Sequence, residues 1–375
     1  MFFRQVIGQE EIKKKLLQSV NEGRISHAQL FAGPDGSGNL PMALAYAQYV
    51  SCLNKQGNDS CGECSSCKKY RKLIHPDLHF VFPVVKTPKF KDPVSDNFLE
   101  EWRSMVTARD AYFDLDQWFT FIGSENAQGL IYSNESEEII RKLNLKPFES
   151  EFKVMVIWMP EKMHVSCSNK LLKMIEEPPS KTLFLLVTEN EEDIIATIRS
   201  RCQLVSFPPV DEDSMAQALA NVQEAAGANI PNIVHLAKGN YRKAIELLQP
   251  DENSAFNLDR FKELMRYSYG RKFPDLFTWS ATMSNIGREK QKNFLLYGMN
   301  FLRENFVSNL HNKQLVFMDD SETDFSQRFA PFINERNIIQ LGRLFEEAFA
   351  HISMNGNARI IFTDVAFKVT KLIRR

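Results

Sequence analysis

The chain has 375 residues, of which 43% are hydrophobic and 25% charged, with a formal net charge of −1. That length calls for two or three domains and a sizeable core, and the near-zero charge excludes wholesale coating of nucleic acid while leaving room for a local basic patch. No apolar run approaches the roughly 18 residues of a membrane helix, the opening stretch is broken at once by acids and lysines and reads as no secretory signal, and the expected compartment is the cytoplasm.

Glu10–Val20 carries Ile12, Leu16, Leu17 and Val20 at helical spacing. His27–Gly33 is a short apolar run that reads as a buried strand entering a glycine loop, and Met42–Val50 is helical. A cysteine-rich loop and a strand at Asp77–Val85 follow. Residues of about 86 to 145 are aromatic and mixed in pattern, and read as an insertion that packs on a compact domain, with a partner-binding role as the other option. Periodicity sharpens at Lys153–Met159 (strand), Ser168–Ile175 (helix, stopped by Pro178-Pro179), Thr182–Glu189 (strand) and Cys202–Phe207 (strand). Apolar strands alternating with helices imply an α/β domain with a parallel sheet covered on both faces. Beyond Ser214 no strand pattern appears. Two apolar stripes, Leu295, Met299, Leu302, Phe306 and Ile338, Leu341, Phe345, Phe349, mark an all-helical last third.

The loop from Gly33 to Leu40 places Gly33 and Gly38 at the separation of a phosphate-binding loop, G-x-x-x-x-G-K-[ST], with Gly36 between them. Asn39 stands where the lysine should be, Leu40 replaces the hydroxyl that holds Mg²⁺, and Pro41 has no N–H to offer a phosphate. After the strand Val154–Ile157, the positions of the acidic pair hold Trp158 and Met159, and Glu161 is expected at a helix start. Every part of the phosphoryl-transfer machinery is therefore altered, so ATP hydrolysis is not expected there and neither ATP nor ADP is expected at the site, with nucleotide or phosphate held by the remaining backbone N–H groups as the other option.

Cys52, Cys61, Cys64 and Cys67 form C-x8-C-x2-C-x2-C. Four thiolates suit a closed tetrahedral site, so structural Zn²⁺ is expected. Cys167 and Cys202 read as small packed residues, and the basic run Lys68–Lys72 as a solvated helix face. Ser200-Arg201-Cys202 lies between a helix and a strand, where an arginine could fork onto a phosphate of a neighbouring subunit.

With the glycine loop, the four cysteines, Ile175-Glu176-Glu177-Pro178-Pro179, Ser200-Arg201-Cys202 and Gly239–Leu248 in view, the chain resembles the AAA+ clamp-loader subunits, most closely the delta-prime members of the bacterial DNA polymerase III clamp loader. The resemblance runs from about residue 6 to 248, the insertion excepted, with the last third similar only in being helical. It implies a P-loop-type α/β domain over 1–208 with a zinc module at 52–67, a helical lid over 209–250 and a helical collar over 251–375. It implies a non-catalytic stator that lends Arg201 in trans to an ATPase neighbour, a sensor arginine at Arg242, and membership of a hetero-oligomer. Its partners there would be ATPase subunits and a clamp-opening subunit, with primer-template DNA and the sliding clamp reached through the assembly and no membrane involved. The competing readings are a divergent active ATPase and a zinc-dependent DNA-binding module.

Overall fold

The strands lie side by side in the order β2-β3-β4-β1-β5, all parallel, in the computed structural model: β1 Ala28–Ala32, β2 Leu78–Val81, β3 Lys153–Trp158, β4 Thr182–Thr188 and β5 Gln203–Ser206. The structure describes residues 1–124, 128–225, 230–248, 252–310, 318 and 320–374. Small parts of the expected insertion (125–127), lid (226–229, 249–250) and last third (251, 311–317, 319, 375) lie outside the described residues.

Every residue of β1, β3 and β4 is buried, because helices cover both faces of the sheet. Side chains alternate between those faces. Leu30, Met155, Ile157, Phe184 and Leu186 pack on one side. They meet α6 (Glu135–Asn144), α7 (Val165–Glu176) and α8 (Ala196–Arg199) there. Phe31, Val154, Val156, Leu183 and Leu185 point to the other side. That side holds α1 (Glu10–Asn21), α2 (Asn39–Val50) and the aromatic residues of the insertion. The short α3 (Ser65–Arg71) follows α2 in the chain. Lys153 is the one charge within these three strands. Its ammonium is held by the carbonyls of Lys142, Leu143 and Leu145 at the end of α6. Strand β5 is one of the two edges, with β2 at the other, and Leu204 of β5 is exposed.

The insertion builds core as well as surface. Its helices α4 (Leu99–Ala108) and α5 (Leu115–Phe121) bring Trp102 and Trp118 to zero exposure. The two indoles meet edge to face at 5.4 Å, and Phe82 stacks on Trp102 at 4.2 Å. The buried indole N–H of Trp118 donates to the Pro83 carbonyl at 2.9 Å.

Helix α7 stops at Glu176, ahead of Pro178-Pro179, which disfavours helical backbone just before it. Helices α9 (Glu212–Ala220), α10 (Ile230–Ala237) and α11 (Tyr241–Leu248) follow the sheet. Contacts divide the chain into two compact units, Met1–Glu246 and Leu247–Arg375, so residues 209–246 pack within the first unit. The second unit contains α12 (Glu252–Gly270), α13 (Phe273–Ser284), α14 (Arg288–Ser308), α15 (Asp320–Phe329), α16 (Ile338–Ser353) and α17 (Ala358–Leu372). The stripes read from the sequence meet in its core, where Leu295, Leu302, Leu341 and Phe345 are fully buried. Among the described residues, no helix is long and apolar enough to cross a membrane.

Candidate triphosphate loop, arginine corner and zinc module

The Gly33–Gly38 loop joins β1 to α2, the strand-to-helix position of a phosphate loop. Its side chains are used on the protein itself. Asn39 donates through Nδ2 to the carbonyls of Gly33 at 3.2 Å and Thr188 at 2.9 Å, and its Oδ1 accepts from the Leu40 N–H at 2.9 Å. The group in the lysine position therefore ties the loop to the end of β4.

The segment Asn240–Arg242 packs directly on the loop. Asn240 donates to Asp35 Oδ2 at 2.8 Å, and the Tyr241 N–H donates to the Gly36 carbonyl at 3.2 Å. Gly36 has φ +70, and a Cβ there would lie 2.1 Å from Asn240 Oδ1, so only glycine allows this approach. Arg242 forks onto Asp35 through Nε (3.0 Å to Oδ2) and Nη2 (2.5 Å), and also reaches Asp114 at 3.1 Å and Glu246 at 2.6 Å. Burial opposes its charge, but the hydrogen bond and charge of Asp35, then Asp114 and Glu246, outweigh burial and raise its pKa.

The space beside the loop is filled. Helix α4 ends in a left-handed turn at Asp110 (φ 48) and Ala111 (φ 62), which aims Tyr112 and Phe113 inward. Tyr112 accepts the Ile7 N–H at 3.1 Å, and its oxygen sits 3.1 Å from where a Cβ on Gly38 (φ +92) would be. Phe113 packs on Trp158 with ring centroids 5.2 Å apart. What remains between Asp35, Gly38, Pro41, Tyr112, Trp158 and Glu189 is about 20 Å³. That holds about one water molecule, against roughly 300–1,000 Å³ for small-molecule sites.

Trp158 and Met159 are both buried, and Met159 takes φ 56 with its N–H on the Val187 carbonyl at 2.8 Å. Glu161 lies in the short turn Pro160–Lys162, beside Thr188, and burial raises its pKa. Glu189 still reaches solvent. Desolvation at the pocket wall, then the charges of Asp35, Glu161 and Asp114, hold its carboxyl up at about 7. A phosphate placed here would face Asp35, Asp114 and Glu189 with Arg242 already engaged.

Arg201 follows α8 at the corner before β5 and is exposed. Its Nη1 donates to the Thr197 carbonyl at 2.9 Å, and Nη2 lies 2.5 Å from Glu176 Oε1 at the end of α7. Both partners of that ion pair remain open to solvent, at 38% and 45% side-chain exposure. The acidic residue ahead of the proline pair thus orients the arginine at the rim.

The four Sγ atoms of Cys52, Cys61, Cys64 and Cys67 lie within 4.8 Å of one another. Two of the separations are 3.7 Å (Cys52–Cys61) and 3.9 Å (Cys61–Cys67). A tetrahedron with Zn–S of about 2.3 Å has edges of about 3.8 Å, so the set fits Zn²⁺. Backbone N–H groups of Cys61, Cys64 and Cys67 donate to Cys52, Cys61 and Cys64 sulfurs respectively. The bonds from Cys64 and Glu63 bring the Cys61 thiol down to about 6. Asp59 of this module also accepts the N–H groups of Phe3 and Arg4, both at 3.2 Å. Cys167 is buried, and burial lifts its thiol to about 12 and that of the half-buried Cys202 to about 11. In the basic run, Lys68, Arg71 and Lys72 are exposed, while Lys69 pairs with Glu149 and Tyr70 is buried.

The family described as DNA polymerase III, delta subunit, matches residues 8–211, more than half of the chain. The chain belongs to that family. Within it, the chain is a clamp-loader-type subunit close to delta-prime. It is 28% identical to the DNA polymerase III subunit delta' of Bacillus subtilis over 267 residues, which covers 71% of this chain and 67% of that protein. It is 26% identical to the subunit tau of the same organism over 265 residues, 69% of this chain but only 39% of tau. Among solved structures, a DNA polymerase III gamma subunit-related protein from Thermotoga maritima aligns over 96% of this chain and 99% of its own, with 13% identity and a TM-score of 0.38.

In this delta-family chain, the sequence singles out the loop glycines, Asn39, Arg201, Arg242 and the four cysteines as candidates, but not the residues that fill the pocket. Tyr112 and Phe113 lie in a stretch without periodic signal, and only the left-handed turn before them directs them inward. Asp35 was in view as part of the loop, yet its pairing with Arg242 joins positions 207 apart.

Proposed function

We propose that this delta-family chain is a non-catalytic subunit of delta-prime type in the bacterial DNA polymerase III clamp loader. In this reading it supplies Arg201 in trans to nucleotide held by a neighbouring ATPase subunit during clamp loading in DNA replication. One observation carries it: the chain's own loop opens on about 20 Å³ walled by Tyr112, Trp158 and carboxylates, while Arg201 stands at the rim with a solvent-exposed partner. The first can take no triphosphate, and the second can exchange Glu176 for one, because an exposed ion pair is worth only about 0–1 kcal/mol.

On this reading residues 1–208 are the AAA+-type domain, 209–250 its lid and 251–375 the collar that joins the ring. The partners are ATPase subunits and a clamp-opening subunit, and DNA and the sliding clamp are reached through the assembled cytoplasmic hetero-oligomer. Cys52, Cys61, Cys64 and Cys67 hold a structural Zn²⁺ that organises the segment between α2 and α3. One zinc equivalent per chain by metal analysis, lost in Cys61→Ser, is the expected result for that site.

The test of the function is reconstitution with ATPase subunits that carry intact G-K-[ST] loops. Arg201→Ala should leave assembly intact by size-exclusion chromatography and lower DNA-stimulated ATP turnover by about 10³-fold, the lower range for an arginine finger. Unchanged turnover in a complete assembly contradicts the role. Glu161 and Glu189, close to the loop, are the feature that favours a divergent ATPase instead. Mg²⁺-dependent ATP turnover by the isolated chain, abolished by changing Asn39, would establish that reading.

A further inference from the structure

The segment Asn240–Glu246 is held against the glycine loop by a carboxylate of the chain itself. A lid arginine above a strand–loop–helix turn is an arrangement that grips phosphate through charge-assisted forks and loop amides. Here Arg242 forks onto the Asp35 carboxylate in the middle of that loop, and Asn240 donates to the same oxygen. The insertion supplies the remaining ties. Tyr112 meets Tyr241 edge to face at 4.9 Å, Asp114 reaches Arg242 at 3.1 Å, and Gln117 donates to Glu246 at 2.8 Å. Tyr112 also accepts the Ile7 N–H. The same few residues therefore fill the pocket and fasten the lid.

We propose that Asp35 and the Tyr112–Gln117 segment act as a built-in ligand: the carboxylate takes the place of a phosphate under Arg242, the tyrosine and its neighbours fill the pocket, and the lid stays shut without nucleotide. The insertion is then the device that converts a nucleotide-gated hinge into a fixed joint. This deepens the non-catalytic reading and rests on it. It is tested on the isolated full-length chain, without partner subunits, so its failure is distinct from any failure at Arg201.

The experiment is amide hydrogen exchange followed by mass spectrometry. In the wild-type chain the amides of Tyr241–Ile245, including the Tyr241 N–H bonded to Gly36, should be protected, and millimolar Mg²⁺-ATP should change that protection by less than twofold. In the double variant Asp35→Asn, Tyr112→Ala the same amides should exchange at least tenfold faster, while β1 and β4 keep their wild-type protection. Lid protection that rises on adding Mg²⁺-ATP to the wild type, or that is unchanged in the double variant, overturns the proposal. If β1 and β4 also lose protection in the double variant, Asp35→Asn alone, which keeps the volume and removes the charge, replaces it. Wild-type lid protection in that variant then overturns the proposal, and faster exchange confined to the lid supports it.

Discussion

Arg242 and Arg201 are both arginines paired with carboxylates on the first unit, and they have opposite fates. Arg242 is 17% exposed and satisfied by Asp35, Asp114 and Glu246. Arg201 is 38% exposed and, among the described residues, pairs with the carboxylate of Glu176, itself 45% exposed. The difference bears on the role proposed for Arg201. A guanidinium surrounded by internal acids is a structural group, because removing it leaves those acids desolvated and unpaired. One held by a single wet carboxylate is oriented but exchangeable.

The comparison is broken most severely by deleting each arginine in turn and measuring urea unfolding of the chain through tryptophan fluorescence, to which the first unit contributes Trp102, Trp118 and Trp158 and the second Trp279. Arg242→Ala should cost about 3–5 kcal/mol, the usual penalty for breaking a largely buried charge network. Arg201→Ala should cost less than about 1 kcal/mol. Equal costs would erase the distinction between the two sites.

Glu135 sharpens it from the carboxylate side, as a buried acid with no arginine. It is fully buried, accepts the Ser95 N–H at 2.7 Å, and burial pushes its carboxyl up to about 7. Since the folded chain holds that proton more tightly than the unfolded one, this contribution to stability is complete below about pH 4.5. It is lost as pH rises through about 7. Glu135→Gln keeps the acceptor and removes the ionisation. It should be more stable than wild type by about 3 kcal/mol at pH 8 and equal to it near pH 4.5. A pH-independent difference between the two proteins would contradict the assignment.

The smallest effect is expected at Glu176. Glu176→Gln should lower ATP turnover of the assembled complex by no more than about fivefold, since it removes the orientation of Arg201 and leaves its charge. A loss as large as that of Arg201→Ala would mean that Glu176 acts on the nucleotide site itself.

Much of this was legible in the sequence because it is local. Continuous apolar runs gave β1, β3 and β4, since strands covered on both faces cannot alternate. Two C-x2-C steps gave the sulfur cluster, and the missing lysine and hydroxyl gave the altered loop. What stayed hidden depends on residues far apart. Trp102 and Trp118 read as a surface decoration, yet they complete the core on one face of the sheet. Nothing near Tyr112 signals that its ring ends beside Gly38, because the direction is set by the left-handed backbone at Asp110 and Ala111. Nor does an aspartate in a glycine loop reveal that an arginine 207 positions later will bind it.

The most direct test of the two-arginine contrast keeps both charges and alters only their forks. Single-turnover ATP hydrolysis is measured for assembled complexes carrying Arg201→Lys or Arg242→Lys, with subunit content verified for each. A lysine cannot reproduce the bidentate geometry of arginine on a phosphate. The expected result is a loss of about 10²-fold or more at position 201 and a change of less than about twofold at position 242. Equal losses at both positions, or none at 201, would contradict the account.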